Sequence, residues 1–204
     1  RCTTGRPLGC VMQGNSPSGA TAVQSVDGIR TTTQPSGLSS GSRLPDVVDV
    51  PSRIALKGAR RAVVSPIDGA VVGHVAEGDA ALVNSALAAA VEGFPKWDAT
   101  PVEARAAALE RVADLIEKHR GELIALLQHE GGKTLDDCVS EVREAADFCR
   151  YYAAQARSVL TPHTMPGPTG ETNTLIHRGR GVFVCISPWN FPLAIFTGQV
   201  VAAL

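Results

Sequence analysis

No block of basic residues runs through this chain. Its 19 Lys and Arg face 20 Asp and Glu, a formal net charge of −1, which removes the electrostatic case for nucleic acid. No apolar run approaches the roughly 18–20 residues that span a bilayer. The chain opens on Arg1, and its first residues lack the apolar core of a secretory signal. A cytoplasmic location is therefore the default expectation. No Cys-x-x-Cys pair occurs and no two histidines have zinc spacing, so no metal site is expected. The five cysteines (Cys2, Cys10, Cys138, Cys149, Cys185) are odd in number and widely spaced, and read as reduced structural thiols. Internal repeats are absent too.

What remains is a chain of 204 residues, 44% hydrophobic, long enough for one or two domains. Residues 1–45 are rich in Gly, Ser, Thr, Pro and Gln without periodicity, and read as disordered or non-native, a coding-frame error being one source. Order is expected from Val47. Ala62–Val64 and Ala70–Val75 flank Pro66-Ile67-Asp68-Gly69, a turn between two short strands. An Ala-rich helix follows over about 80–92, ending near Gly93 and Pro95. Thr100-Pro101-Val102-Glu103 has the form of a capping box with proline at the first helical position. Leu109, Val112, Ala113 and Ile116 keep helical spacing, Gly121 is the expected break, and Leu123 to Leu127 continue to Gly131-Gly132. Thr134 opens a long helix with inner face Leu135, Cys138, Val139, Val142, Ala146, Cys149, Tyr152 or Ala153, and Ala156. After a Pro- and Gly-rich exit, Asn173–His177 is a candidate strand.

The last segment carries the chemistry. Val182–Ile186 reads as a buried strand that stops at Ser187-Pro188, where proline removes a ladder donor. Pro192 then sits where a helix can begin, with Asn190 exposed on the turn between them. An exposed amide after a strand can donate to an oxyanion in acyl chemistry.

Other motifs have plainer readings. Gly132-Lys133-Thr134 lacks the glycine and the preceding strand of a phosphate loop, and reads as a helix break. His129-Glu130 lacks the second histidine of a zinc-protease helix and is expected on the surface. Glu141, Arg143, Glu144 and Asp147 read as a solvated charged face with Arg143 or Arg150 as counter-charge, or as a carboxylate aimed at a cationic ligand. Cys185, in an apolar strand without a base, reads as an inert core thiol.

Ile186-Ser187-Pro188-Trp189-Asn190-Phe191-Pro192 resembles the signature by which aldehyde dehydrogenases enter their nucleotide-binding domain. Pro66–Gly69, Val72–Val75, Phe94–Trp97 and Glu130–Thr134 fall in the family's order, so the likeness runs from Ala62 to Leu204. Glu141–Gln155, Gly167–Glu171 and Pro192–Gln199 resemble one branch, the L-glutamate γ-semialdehyde (pyrroline-5-carboxylate) dehydrogenase half of bacterial bifunctional proline utilisation A. The resemblance implies a truncated α/β fold: helices plus the start of a Rossmann-like nucleotide-binding sheet over 46–204, with 160–180 resembling part of the oligomerisation arm.

It further implies oxidation of a small aldehyde to glutamate through a cysteine thiohemiacetal, with NAD as hydride acceptor, in a homo-oligomeric parent protein. Carried over residue by residue, Asn190 is the oxyanion donor. Ile186, Ser187, Pro188 and Trp189 line the cofactor, Phe191 walls the aldehyde channel, and Glu144 meets the substrate amino group. None of the five cysteines matches the family's nucleophile, and its general-base glutamate and adenosine-binding motifs fall beyond Leu204. The expectation is therefore a fragment, inactive and aggregation-prone alone. Dehydrogenases of succinate-semialdehyde or betaine-aldehyde type, and a non-catalytic interaction module, are the alternatives.

Overall fold

The computed structural model describes residues 59–204. The segment 1–45, the onset at Val47, Cys2 and Cys10 lie outside the described residues. Strands β1 (Arg60–Val64) and β2 (Val71–Ala76) pair antiparallel, with Arg60 opposite Ala76 and Val64 opposite Val71. The expected turn joins them. Ser65 N–H donates to the Ala70 carbonyl (2.8 Å), and Gly69 adopts φ 74, where a side chain would be strained. The Asp68 carboxylate accepts from Ala70 N–H at 3.0 Å, and that amide, then Ser65, holds its carboxyl below the usual range.

Helix α1 (Ala80–Asp98) is capped by Asp79, whose carboxylate accepts from Leu82 N–H at 2.8 Å. It does not end near Gly93 and Pro95 but runs through both. Proline forfeits one helical hydrogen bond, and tertiary contacts secure the last turn instead. Trp97 Nε1 donates to the Leu204 carbonyl (2.8 Å), and the Asp98 carboxylate accepts from Gly179 N–H (2.7 Å). The capping box at Thr100 is also corrected. The Thr100 hydroxyl donates back to Lys96 of α1 (2.9 Å), and helix α2 (Val102–Lys118) starts after Pro101 without a side-chain cap. Its Glu103 is taken by Arg157 in a bidentate pair, both bonds 2.8 Å, a stronger partner than a neutral amide.

The break after α2 falls at His119, and Gly121 lies in the first turn of α3 (Arg120–Gly131). His119 N–H donates to Leu115 and its carbonyl accepts from Leu123, so one residue serves both helices. Gly132 then stops α3 in the left-handed region (φ 64). A Cβ there would lie 2.8 Å from the Pro66 ring, so the glycine also admits the tip of the β1–β2 hairpin.

Helix α4 (Leu135–Val159) is capped as expected by Thr134, which accepts from Asp137 N–H at 3.2 Å. Its buried stripe is Cys138, Glu141, Val142, Ala145, Ala146, Cys149 and Ala153, packed on Leu109, Val112, Ala113 and Ile116 of α2 and on Leu123 and Leu127 of α3. Leu135 and Val139, expected inside, are exposed: each sits a fraction of a turn off this stripe. Ala153 takes the inner position, with Tyr152 half-buried beside it.

The candidate strand after α4 is real but shorter. Strand β4 (Asn173–Leu175) pairs antiparallel with β3 (His163–Met165), which forms within the Pro- and Gly-rich exit, and all of 161–180 is exposed. Val182–Ile186, expected as a buried strand, has no ladder partner among the described residues, and Val184 and Ile186 are exposed. A strand needs a neighbour's donors and acceptors, and no described segment supplies them. Helix α5 (Ala194–Ala203) closes the structure against α4, with Gly198 so near Phe148 that a Cβ would fall 2.9–3.1 Å from its ring. Among the described residues no helix is long and apolar enough to cross a membrane.

Two outcomes are expected. Gly198→Val drives a branched side chain into Phe148 and lowers stability by about 1–3 kcal/mol, read from the midpoint of urea unfolding. Burial pushes the Cys149 thiol up to about 12. An unfolded thiol ionises near pH ~8.5, so above that pH the unfolded chain releases a proton the folded one keeps, and stability falls as pH rises. At about pH 9 an alkylating reagent should label Cys149 far more slowly in the folded chain than in urea, as peptide mass mapping will show.

Candidate functional site

A carboxylate stands in the apolar stripe of α4. Glu141 is 1% exposed, three residues after Cys138 and four before Ala145, so it shares their face. An unpaired buried carboxylate costs several kcal/mol, and this one is fully partnered. One oxygen accepts from the backbone N–H groups of Leu193 (2.8 Å) and Ala194 (3.2 Å); the other takes the Lys133 ammonium. Those amides open α5, where helical donors lack partners and the helix dipole favours a negative charge. The sequence reads Glu141 as part of a solvated charged face or as a carboxylate aimed at a cationic ligand; the structure corrects the first, because α5 lies over Glu141 and supplies donors to it.

Lys133 completes the arrangement. Its largely buried ammonium donates a second hydrogen bond to the Asn190 main-chain carbonyl (3.0 Å) and sits 4.5 Å from the centre of the Phe191 ring. The left-handed Gly132 before it and the Thr134 cap after it fix its backbone. Gly132-Lys133-Thr134 is indeed a helix break, and it also delivers a cation to the turn.

That turn is closed by Phe191 N–H donating to the Pro188 carbonyl (3.3 Å). Upstream, Gln199 of α5 donates to the Ile186 carbonyl (3.2 Å). Residues 186–191 are thus held by backbone contacts at Ile186, Asn190 and the turn itself, leaving the Ile186, Pro188, Trp189 and Asn190 side chains outward. Ile186 is 62% and Trp189 89% exposed, Pro188 and Phe191 are exposed, and Ser187 is half-buried. The Asn190 carboxamide is exposed and forms no hydrogen bond with any described residue. A pinned backbone with a free amide can donate to a developing negative charge without first giving up a protein partner. Cys185, expected in the core, is half-buried.

Glu144 is not brought into this assembly. It lies on the exposed side of α4 in a recess of about 600 Å³ lined by Ser140, Arg143, Asp147, Phe148 and Tyr151. No described residue forms a hydrogen bond or ion pair with it. Of the expected counter-charges, Arg143 pairs with Asp147 (3.6 Å), whereas Arg150 turns to Glu117 (2.7 Å) and Asp114 (3.3 Å) of α2. Sequence reasoning named Lys133 only within a helix break and Glu141 only within a charged cluster, and missed the pair they form. The signal was present: Glu141 interrupts an otherwise apolar i, i+3, i+4 stripe, which a carboxylate does only when a cation or amide awaits it.

The sequence model of the aldehyde dehydrogenase family matches residues 55–204. The bifunctional protein PutA of Klebsiella aerogenes is 46% identical over 149 residues, 72% of this chain and 10% of that protein. The 1-pyrroline-5-carboxylate dehydrogenase of Geobacillus sp. (strain WCH70) is 38% identical over 134 residues, 66% of this chain and 26% of that enzyme. Among solved structures, a mutant of Bradyrhizobium japonicum proline utilization A matches with TM-score 0.62 and 62% identity, over 63% of this chain and 13% of that one. The chain therefore spans only a small part of each of these relatives.

Proposed function

The chain belongs to the aldehyde dehydrogenase family, and on that premise we propose that it is the part of an L-glutamate γ-semialdehyde dehydrogenase of proline catabolism that carries the oxyanion donor. The observation that carries this reading is the Asn190 carboxamide: exposed, unengaged by any described residue, on a turn whose main chain is held by Lys133. Similarity to PutA and to a 1-pyrroline-5-carboxylate dehydrogenase supports the substrate class. In this reading the aldehyde oxygen, on becoming an oxyanion, receives the Asn190 N–H. Phe191 walls the approach, and Glu144 offers its carboxylate to the substrate's ammonium group.

NAD, when bound, supplies the hydride acceptor. The residues present suit it. Ile186 and Trp189 expose apolar surface beside Asn190, which can take a flat ring by van der Waals contact, with Ser187 and Pro188 between them. The fully exposed segment 161–180, with its β3–β4 hairpin, would serve as an oligomerisation arm.

Assays on a complete dehydrogenase carrying this segment test the reading. With L-glutamate γ-semialdehyde and NAD, Asn190→Ala should lower kcat by about 10²–10³-fold, the usual cost of losing one oxyanion donor; an unchanged kcat refutes the role. Preference for succinate semialdehyde or betaine aldehyde would reassign the substrate. The 204 residues alone should show no NADH production with any of these aldehydes, since none of their cysteines matches the family's nucleophile.

A further inference from the structure

We propose that Lys133 and Glu141 are positioning residues for the Asn190 carboxamide, an inference that rests on the oxyanion role given above to Asn190. Four contacts converge on one short stretch of chain. Lys133 Nζ holds the Asn190 carbonyl at 3.0 Å and lies 4.5 Å from the Phe191 ring centre, and Glu141 holds the amides of Leu193 and Ala194 at 2.8 and 3.2 Å. The Lys133–Glu141 ion pair joins the two grips into one, with the carboxylate side chain 0% and the ammonium side chain 13% exposed.

The Asn190 side chain itself is tied to nothing described. The protein therefore places it through the main chain from which it projects, and at Asn190 that main chain is held by this pair. A group that must meet a reacting oxygen within a few tenths of an ångström loses about 10²-fold in rate for a 1 Å displacement. Ordinary fold support does not require a lysine here. Two apolar residues of similar volume could replace the ion pair itself at little or no cost, but they would leave a carbonyl and two amides of the turn without partners.

Hydrogen exchange on the intact chain separates positioning from general support. In Lys133→Met/Glu141→Met both charges go together, so no buried charge is left unpaired. Peptides covering 189–194 should exchange at least about tenfold faster, while those covering the middle of α4, residues 142–153, stay as in the parent. In Lys133→Met/Glu141→Gln an acceptor for the Leu193 and Ala194 amides remains, so only 189–191 should loosen. Unchanged exchange at 189–194 in both variants overturns the proposal, as does equal acceleration along α4.

In a complete dehydrogenase carrying this segment, the same variants should lower kcat by about 10–100-fold and alter the KM for NAD by less than about threefold. A loss confined to KM also overturns the proposal. Asn190→Ala runs beside them. If it leaves kcat intact, the oxyanion reading fails, while the exchange data still decide whether the pair fixes the turn.

Discussion

The buried ion pair between Lys133 and Glu141 is the constraint on which the terminal part of this structure depends. Among the described residues, helix α5 and the turn before it have no ladder partner, and α5 has no side-chain cap at its own first residue. Their attachment is polar as well as apolar: one carboxylate oxygen takes two amides of the helix start, and the lysine paired to the other takes the Asn190 carbonyl. A buried ion pair contributes little net stability over an apolar substitute. It contributes direction, because its donors and acceptors are satisfied in one arrangement of the chain.

Around that pair the packing is conventional. Helices α2, α3 and α4 bury an apolar stripe built from small residues and thiols on one side, Ala145, Ala146, Cys149 and Ala153, against Leu109, Val112 and Ile116 on the other. Small residues let α4 approach closely, and Gly198 lets α5 lie on Phe148 in the same way. Outside the core, Arg157 holds Glu103 and Glu110, and Arg150 holds Glu117 and Asp114. Arg157 keeps Glu103 and Glu110 below the ordinary carboxylate range, and Arg150 does so for Glu117. These pairs are exposed and screened, so they fix the register of α2 on α4 more than they stabilise it.

Local chemistry was the legible part. Asp68-Gly69 in the hairpin, the Thr134 cap and the Gly132 stop are each specified within four residues, and each appears where the sequence places it. The errors arise where a distant partner intervenes. Thr100 and Glu103 form a capping box on paper, yet Arg157 lies 54 residues from Glu103 and wins it. Pro95 fails to end α1 because Trp97 and Asp98 are held by Leu204 and Gly179. Val182–Ile186 has the composition of a strand, but composition cannot provide the neighbour that makes one.

By itself, then, the sequence determined the presence of the helices, the Thr134 cap, the Gly132 stop and the family, and it singled out Asn190 as the candidate oxyanion donor, because periodicity, a local cap and a signature such as Ser187-Pro188-Trp189-Asn190 are properties of contiguous residues. Only the tertiary structure decided which charges lie inside. Glu141 and Glu144 are neighbours on one helix with the same side chain. One is buried and grips α5; the other faces an open recess. The difference comes from what packs over each position, and that depends on a helix start 52 residues downstream of Glu141.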